Sequence, residues 1–217
     1  MARPFEVRLP LEQAYVREVM FALELLDAVT LERVVGGVKV DAVGLTGSPI
    51  LNHGGLLVWL KEPTANLQKV VIEPQTRPFE RTEIPVAQLQ FPLHTVELKP
   101  LSNYPFSPGV TAIRGSLYDT RVALGQAPVP ITGATVRLEW MDGSNNFQPG
   151  TANAVTNDAG DFVSILRFAP KEDPLVTNEK LSIRLFARKA GGLEKSQDLM
   201  LLQGRVTDGT FAWDELS

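Results

Sequence analysis

Short segments in which apolar and polar residues alternate are the feature that most limits what this chain can fold into. The clearest segment is "GATVRLEW", whose apolar members are Ala134, Val136, Leu138 and Trp140. The segment "KLSIRLFAR" repeats the pattern with Leu181, Ile183, Leu185 and Ala187. A period of two turns successive side chains to opposite faces of a strand, so each set predicts one buried strand face. The 17 glycines and 16 prolines are spread along the chain and disfavour long helices. We therefore predict an all-β fold.

The predicted strands fall into two similar halves. Four short segments of the first half recur in the same order in the second, with growing spacing, as a tandem duplication with longer loops in copy two would give. The pairs are LLD at 25–27 with LYD at 117–119, GVKV at 37–40 with GATV at 133–136, NHGG at 52–55 with NDAG at 157–160, and KVVI at 69–72 with KLSI at 180–183. The proline-containing stretch 98–115 reads as a semi-rigid connector between them. We predict an N-terminal β-sandwich domain at 1–105 and a C-terminal β-sandwich domain at 106–217.

One segment, 11–27, has two readings. Its apolar residues suit one face of a helix through Leu11, Tyr15, Val19 and Leu23, or a strand from about Val19. The strand reading has Val19, Phe21, Leu23 and Leu25 inward, and the repeat favours it, because the matching segment of copy two contains the helix-averse Gly115. A short helical turn before that strand stays an alternative.

Charge and composition exclude several classes of function. The net charge is -4 with a pI near 5.3, and the cations Arg184, Arg188 and Lys189 are interspersed with acids, so we expect no nucleic-acid partner. The chain has no cysteine, which excludes disulfides and thiolate metal sites. Charges throughout the first twenty residues do not suit a signal peptide, and no apolar run approaches the length of a membrane span. We expect cytoplasmic synthesis and no membrane partner.

The second half resembles the transthyretin-like domain that serves as a regulatory module of carboxypeptidases and occurs in many surface proteins. The residues that carry the resemblance are "PITGATVRLEW", "AVTNDAGDFVSILRF" and "LSIRLFA", within about 115–206. Thr156, Gly160 and Phe162 match the family's turn-and-strand motif, whereas copy one matches more loosely, with Leu57 in place of the aromatic residue. The resemblance implies tandem Ig-like (transthyretin-like) sandwiches that are usually non-catalytic. In that motif Gly160 is expected at a positive φ, with Asn157 or Asp158 capping the turn and Phe162 in the core.

Residues suited to catalysis are sparse. His53 falls in a predicted turn and His94 in a predicted strand, and the chain has no nucleophile elbow, zinc-protease motif or phosphate-binding loop. The acids Glu73, Glu80 and Glu83 cluster where solvated acids are common. Oxygen-rich stretches at 142–146 and 157–161 could suit calcium, but ordinary turns need the same residue types. We expect no enzyme activity, no metal and no cofactor.

These observations favour a structural protein that presents docking surfaces within a larger protein complex. We expect other subunits of that complex, or further copies of this chain, as partners, and a phage-tail-like or contractile injection particle as the setting, with incorporation into a virion or particle. The expected contact residues are Tyr104 and Phe106 in the connector and Phe211 and Trp213 in the aromatic tail. A rival reading is a carbohydrate- or other ligand-binding module whose loops form a rim of Trp140, Asp142, Asn146, Phe147, Asp158 and Asp161. A second rival is an accessory domain of a hydrolase.

Overall fold

The computed structural model of the protein describes residues 17–63, 65–121, 125–169 and 171–217. Within these ranges the chain is all-β, with sixteen strands and a single 3-10 turn at Val86–Gln88. No helix in these ranges is long and apolar enough to cross a membrane. The prediction of an all-β chain is confirmed.

Seven strands form two sheets in the first half of the chain. They are β1 (Val19–Asp27), β2 (Val38–Val43), β3 (Ile50–Leu51), β4 (Leu57–Leu60), β5 (Lys69–Pro74), β6 (Thr82–Pro85) and β7 (Leu93–Leu98). One sheet has the order β3-β4-β1-β7 and the other the order β2-β5-β6. The segment with two readings is a strand from Val19, although Val19 itself is half exposed rather than inward. Residues 1–16, which include the rest of the helical alternative, lie outside the described residues.

Nine strands form two sheets in the second half. They are β8 (Thr111–Asp119), β9 (Val129–Pro130), β10 (Thr135–Met141), β11 (Phe147–Val155), β12 (Asp161–Leu166), β13 (Val176–Thr177), β14 (Lys180–Arg188), β15 (Glu194–Leu202) and β16 (Val206–Ala212). The larger sheet runs β11-β10-β14 with β13 and β15 both on β14, and the smaller sheet runs β12-β8-β16 with β9 on β8. The inward residues of β10 and β14 are the alternating sets predicted from sequence, and all of them are buried.

Each half encloses its own apolar cluster in a sandwich-like arrangement. The first cluster spans Phe21 to Tyr104 and is centred on the Phe21 and Trp59 rings, which stack with centroids 4.5 Å apart. The second cluster spans Ile113 to Leu216. Burial of apolar surface therefore stabilises each half separately. The division into domains at 1–105 and 106–217 stays a prediction.

The two halves share their strand topology. The first strand of each half, β1 or β8, has an antiparallel partner on one side, β4 or β12, and a parallel partner on the other, β7 or β16. In the other sheet, β2 or β10 pairs with β5 or β14, which in turn pairs with β6 or β15. The four segment pairs that repeat in the sequence occupy matching places in this scheme: two strand starts, one strand end and one turn.

Candidate functional site

The most unusual surface of the molecule is a row of apolar side chains on the outside of the N-terminal four-stranded sheet. Ile50 lies opposite Val58, Val58 opposite Ala22, and Ala22 opposite Leu93, so the row crosses all four strands on one face. The opposite face of the same sheet carries Phe21, Leu23 and Trp59, which fill the core. We call the row of Ile50, Val58, Ala22 and Leu93 the N-terminal apolar face.

The ends of this row are open to solvent. Ile50 is 51% exposed and Leu93 is 43% exposed, while Val58 is half-buried and Ala22 is shielded by its larger neighbours. An antiparallel or mixed sheet with one solvated face normally carries polar residues on that face. Contiguous exposed apolar side chains, by contrast, mark interaction sites. The row therefore has the character of a docking surface.

Ion pairs lie beside the row. On one side Arg33 Nε donates to Glu24 Oε1 at 2.6 Å, and the Thr95 hydroxyl donates to Glu24 Oε2 at 3.1 Å. The hydrogen bond from Arg33 is the main reason that the pKa of Glu24 is lowered. On the other side Lys61 Nζ lies 2.9 Å from Glu18 Oε2. This arrangement of an apolar centre with a charged rim is the usual anatomy of a protein interface.

Part of the matching face of the C-terminal half is covered, whereas Asp208, which takes the place of Leu93, stays exposed. On the small sheet, Ile165 of β12 lies opposite Ala112 of β8 on the outer side, and both are buried although neither belongs to the C-terminal core cluster. We call Ala112, Val163 and Ile165 the covered face. A cavity of about 180 Å³ separates it from Glu80, Glu97, Lys99, Pro100 and Ala28 of the first half. The first half of the chain thus packs on the outer face of the second.

Polar contacts hold the two halves together at this junction. Arg114 Nη2 donates to the Tyr104 carbonyl oxygen at 3.3 Å, and its guanidinium lies 5.7 Å from the centre of the Phe106 ring. Arg167 Nη2 lies 3.6 Å from Glu97 Oε2. The strand β7 and the residues after it are therefore fixed to the second half by Arg114 of β8 and by Arg167, which follows β12.

The four expected contact residues are used inside the chain. Tyr104 is buried in the N-terminal cluster and donates a hydrogen bond to Asp27 Oδ2, and burial together with this bond raises the pKa of its hydroxyl. Phe106 is half-buried against the same cluster. Phe211 and Trp213 are buried in the C-terminal core, at 6% exposure each. The tail therefore packs on its own half, because its aromatic rings complete that core.

Polar contacts fix this tail in place. Lys195 Nζ donates to the carbonyl oxygens of Trp213 and Leu216 at 3.0 and 2.7 Å, and Lys189 Nζ lies 4.5 Å from the centre of the Trp213 ring. The Thr120 hydroxyl donates to Asp214 at 2.6 Å. A segment held by this many contacts adds to the stability of the fold, and within it the side chains of Asp214 and Glu215 stay exposed.

The residues of the expected ligand rim do not form one rim. Asp142, Asn146 and Phe147 lie at one end of the β10–β11 hairpin, and Asp158 and Asp161 follow its other end. Strands of this length separate the two ends by roughly 20 Å. The indole of Trp140 is in the core at 2% exposure, so this residue offers no platform to a ligand.

The oxygen-rich stretches close turns. Asp142 Oδ1 accepts hydrogen bonds from the backbone N–H groups of Ser144 and Asn146, each at 2.9 Å, and Gln148 Nε2 donates to Oδ2 at 2.7 Å. These bonds, that from Asn146 first, lower the pKa of Asp142. Asn157 Oδ1 accepts from Ala159 and Asp161 in the same way, and Phe162 and Gly160 take the expected core and positive-φ positions. Across the described ranges no group of three or more His, Cys, Asp or Glu side chains is placed to hold a metal ion.

A second ordered surface covers the outside of the large C-terminal sheet. The Arg184 guanidinium lies 4.1 Å from the centre of the Phe147 ring and pairs with Asp198 at 2.6 Å. Arg137 lies 3.7 Å from the centre of the Phe186 ring and pairs with Glu194 at 2.8 Å. Because each cation is already stacked and paired, this surface is the solvated strand face that the interspersed charges indicated.

The two histidines lie apart from these surfaces. His53 is an exposed member of the turn before β4, and His94 lies on the edge strand β7, where its Nδ1 accepts a hydrogen bond from the Gln90 backbone at 3.2 Å. The strand and turn positions match those expected from sequence.

The apolar face was missed by sequence reasoning, although one signal points to it. In β1 both alternating sets are mainly apolar, with Phe21, Leu23 and Leu25 on one side and Ala22 and Leu26 on the other. A strand that reads apolar on both sides is covered on both sides or carries an exposed patch. The helix-or-strand ambiguity of this segment hid that signal.

No model of a known protein family matches the chain, and no curated protein matches it. A crystal structure described as that of a candidate adhesin from Bacteroides ovatus is similar over 86% of this chain and 78% of that one, at 10% identity and a TM-score of 0.21. A likeness of that degree carries no conclusion about function.

Proposed function

We propose that this chain is a non-catalytic structural protein that docks to other subunits of a larger assembly through the N-terminal apolar face. The observation that carries the proposal is the apolar row of Ile50, Val58, Ala22 and Leu93, whose two ends are open to solvent, whereas its counterpart in the second half is partly covered. A phage-tail-like or contractile injection particle is the kind of assembly in which we place it.

We infer further that both halves are Ig-like sandwiches and that the second is a transthyretin-like domain. The geometry of the turn at 157–161 supports this inference, with Asn157 capping the turn and Gly160 at φ 77°. In two such sandwich domains the residues of the turn motif stabilise the fold, so we expect the faces of the sheets to bind the partner.

The test is sedimentation of the untagged protein in a fresh lysate of its own source. We expect the wild-type protein in a fast-sedimenting fraction and the Ile50→Asp, Leu93→Asp double variant among free chains of 23.8 kDa. Charges placed at the two ends of an apolar row must be desolvated without a partner on docking, which weakens docking by a factor of about ten or more, or about 1.4 kcal/mol.

The matched control is Met200→Asp, because Met200 is also 51% exposed on a strand but lies on the outer side of the large C-terminal sheet. We expect this variant to sediment as the wild type does. Wild-type protein that runs only as a free chain would overturn the proposed function, and so would a double variant that stays in the fast fraction.

A further inference from the structure

Two surfaces meet at the junction between the halves. Each has an equivalent in the other half of the chain, and these two equivalent surfaces do not meet within one molecule. The first half packs on the outer face of the second half's small sheet. The N-terminal apolar face lies on the outer face of the equivalent sheet of the first half. In this correspondence Val58 matches Val163, Ala22 matches Arg114, and Leu93 matches Asp208, because each set forms one cross-strand row. A surface built like the first half's covering side would fit that face.

The end of the second half is such a surface. In the first half, the β5–β6 turn and the chain after β7 line the junction, through Glu80 and through Lys99 and Pro100. Their counterparts in the second half are the β14–β15 turn and the chain after β16. The first of these contains Leu193, which is 83% exposed, and the second contains the exposed residues Asp214 and Glu215.

These residues lie at one end of the second half. Lys189, in the same turn as Leu193, reaches Asp119 at 3.2 Å, and Thr120 donates to Asp214. Val129 of β9, which is 53% exposed, lies opposite Asp119 of β8. We call Val129, Leu193, Asp214 and Glu215 the C-terminal end surface. It offers two exposed apolar side chains and two acids.

We propose that the N-terminal apolar face of one copy of this chain binds the C-terminal end surface of a second copy, so that copies join head to tail. The inference rests on the proposed docking function and names its partner. Leu193 and Val129 meet the apolar row, while Asp214 and Glu215 lie toward Arg17 and Lys61, the exposed cations at its edge. The contact between copies repeats the contact between halves.

The difference between the two rows supports this assignment. In the second half the row contains Arg114, which donates a hydrogen bond to the Tyr104 carbonyl oxygen, and the short connector keeps the two halves at a high effective concentration, so a polar contact is enough. Separate copies have no such tether, and their contact needs its own affinity from apolar burial. The first half has Ala22 and Leu93 at the positions of Arg114 and Asp208, and these apolar side chains supply that burial.

The experiment uses the purified full chain in sedimentation velocity as its concentration is raised about a hundredfold. We expect the wild-type protein to grow beyond a dimer, since a head-to-tail contact leaves a free surface at each end unless a ring closes. The Ile50→Asp and Leu193→Asp variants should each remain monomeric, with the contact weakened at least ~10-fold. Met200→Asp should behave as the wild type.

Mixing the two variants distinguishes head-to-tail contact from a symmetric one. The Leu193→Asp chain keeps an intact apolar face, and the Ile50→Asp chain keeps an intact end surface. We expect an equimolar mixture to stop at dimers. If Leu193→Asp alone still dimerises, the contact joins two apolar faces and the proposal is wrong.

Wild-type protein that stays monomeric at every concentration would also overturn the head-to-tail contact. The proposed function still holds in that case if the native protein sediments in a large assembly and the Ile50→Asp, Leu93→Asp variant does not. The partner is then a different protein.

Discussion

Gly115 shows how one residue sets the packing of the C-terminal core. A Cβ atom at this position would lie 2.3 Å from Cζ of Phe162 and 2.9 Å from Cε2 of Phe211. Both rings are buried and pack against each other, with centroids 5.8 Å apart. The strand β8 therefore depends on the missing side chain to admit the two rings.

We expect Gly115→Ala to lower the free energy of unfolding by 1–3 kcal/mol, about the usual cost of overpacking a core. Urea denaturation followed by tryptophan fluorescence measures the change. Gly36→Ala is the matched control, since a Cβ there meets nothing within 4 Å, and it should change stability by less than ~0.5 kcal/mol. Equal stabilities of the two variants would show that the rings move aside without cost.

Among the elements, one turn geometry recurs three times. In the turns 52–56, 142–146 and 157–161, the first residue accepts a backbone hydrogen bond from the residue three positions later. Its own N–H donates to the carbonyl oxygen of the residue four positions later. The side-chain oxygen of Asn52, Asp142 or Asn157 also accepts from that last residue. The fourth residue has a positive φ: 78° at Gly55, 63° at Asn145 and 77° at Gly160.

Replacing Asn157 by Ala removes two hydrogen bonds of 2.9 Å from this turn. We expect a loss of about 1 kcal/mol in unfolding free energy, because the turn's N–H groups then rely on water. Thermal denaturation measures it. The neighbour Asp158 is exposed, and Asp158→Ala should leave the melting temperature almost unchanged; a loss as large as that of Asn157→Ala would mean that turn composition, not capping, matters.

Sequence alone predicts the strands that have one polar and one apolar face. The alternation in β10 and β14 gave their inward residues, and the turn motif gave the places of Asn157, Gly160 and Phe162. The sequence could not show that the rim residues lie at two ends of a hairpin, because whether two turns share an end of the fold depends on strand pairing, which no local pattern contains. The apolar face was out of reach for the same reason: its four residues come from four strands.

For the whole molecule, the decisive feature is the junction between the halves, where Glu80 lines the cavity beside Lys99. Burial raises the pKa of the Glu80 carboxyl, and the charge of Lys99 offsets this only in part. The charged form of Glu80 is therefore disfavoured in the folded protein, and stability is lost as the pH rises through the folded pKa.

We expect Glu80→Gln to be more stable than the wild type near pH 7, with the difference closing below about pH 4.5, where Glu80 is protonated in both states. Chemical denaturation across this range measures it. Glu62→Gln is the control of opposite sign, because hydrogen bonds from Thr46 lower the pKa of Glu62. Removing this carboxylate should therefore destabilise the folded protein at neutral pH. A Glu80→Gln variant that is less stable at pH 7 would contradict the expectation.

The recurring turn also shows how little of the sequence a fixed backbone bend requires. A turn of this kind constrains only an oxygen-bearing side chain at its first position and a residue that tolerates a left-handed backbone at its fourth. Everything between is free to mutate. The three turns can therefore differ at most of their positions and still keep the same hydrogen bonds, so the backbone bend is retained where no similarity of sequence is visible.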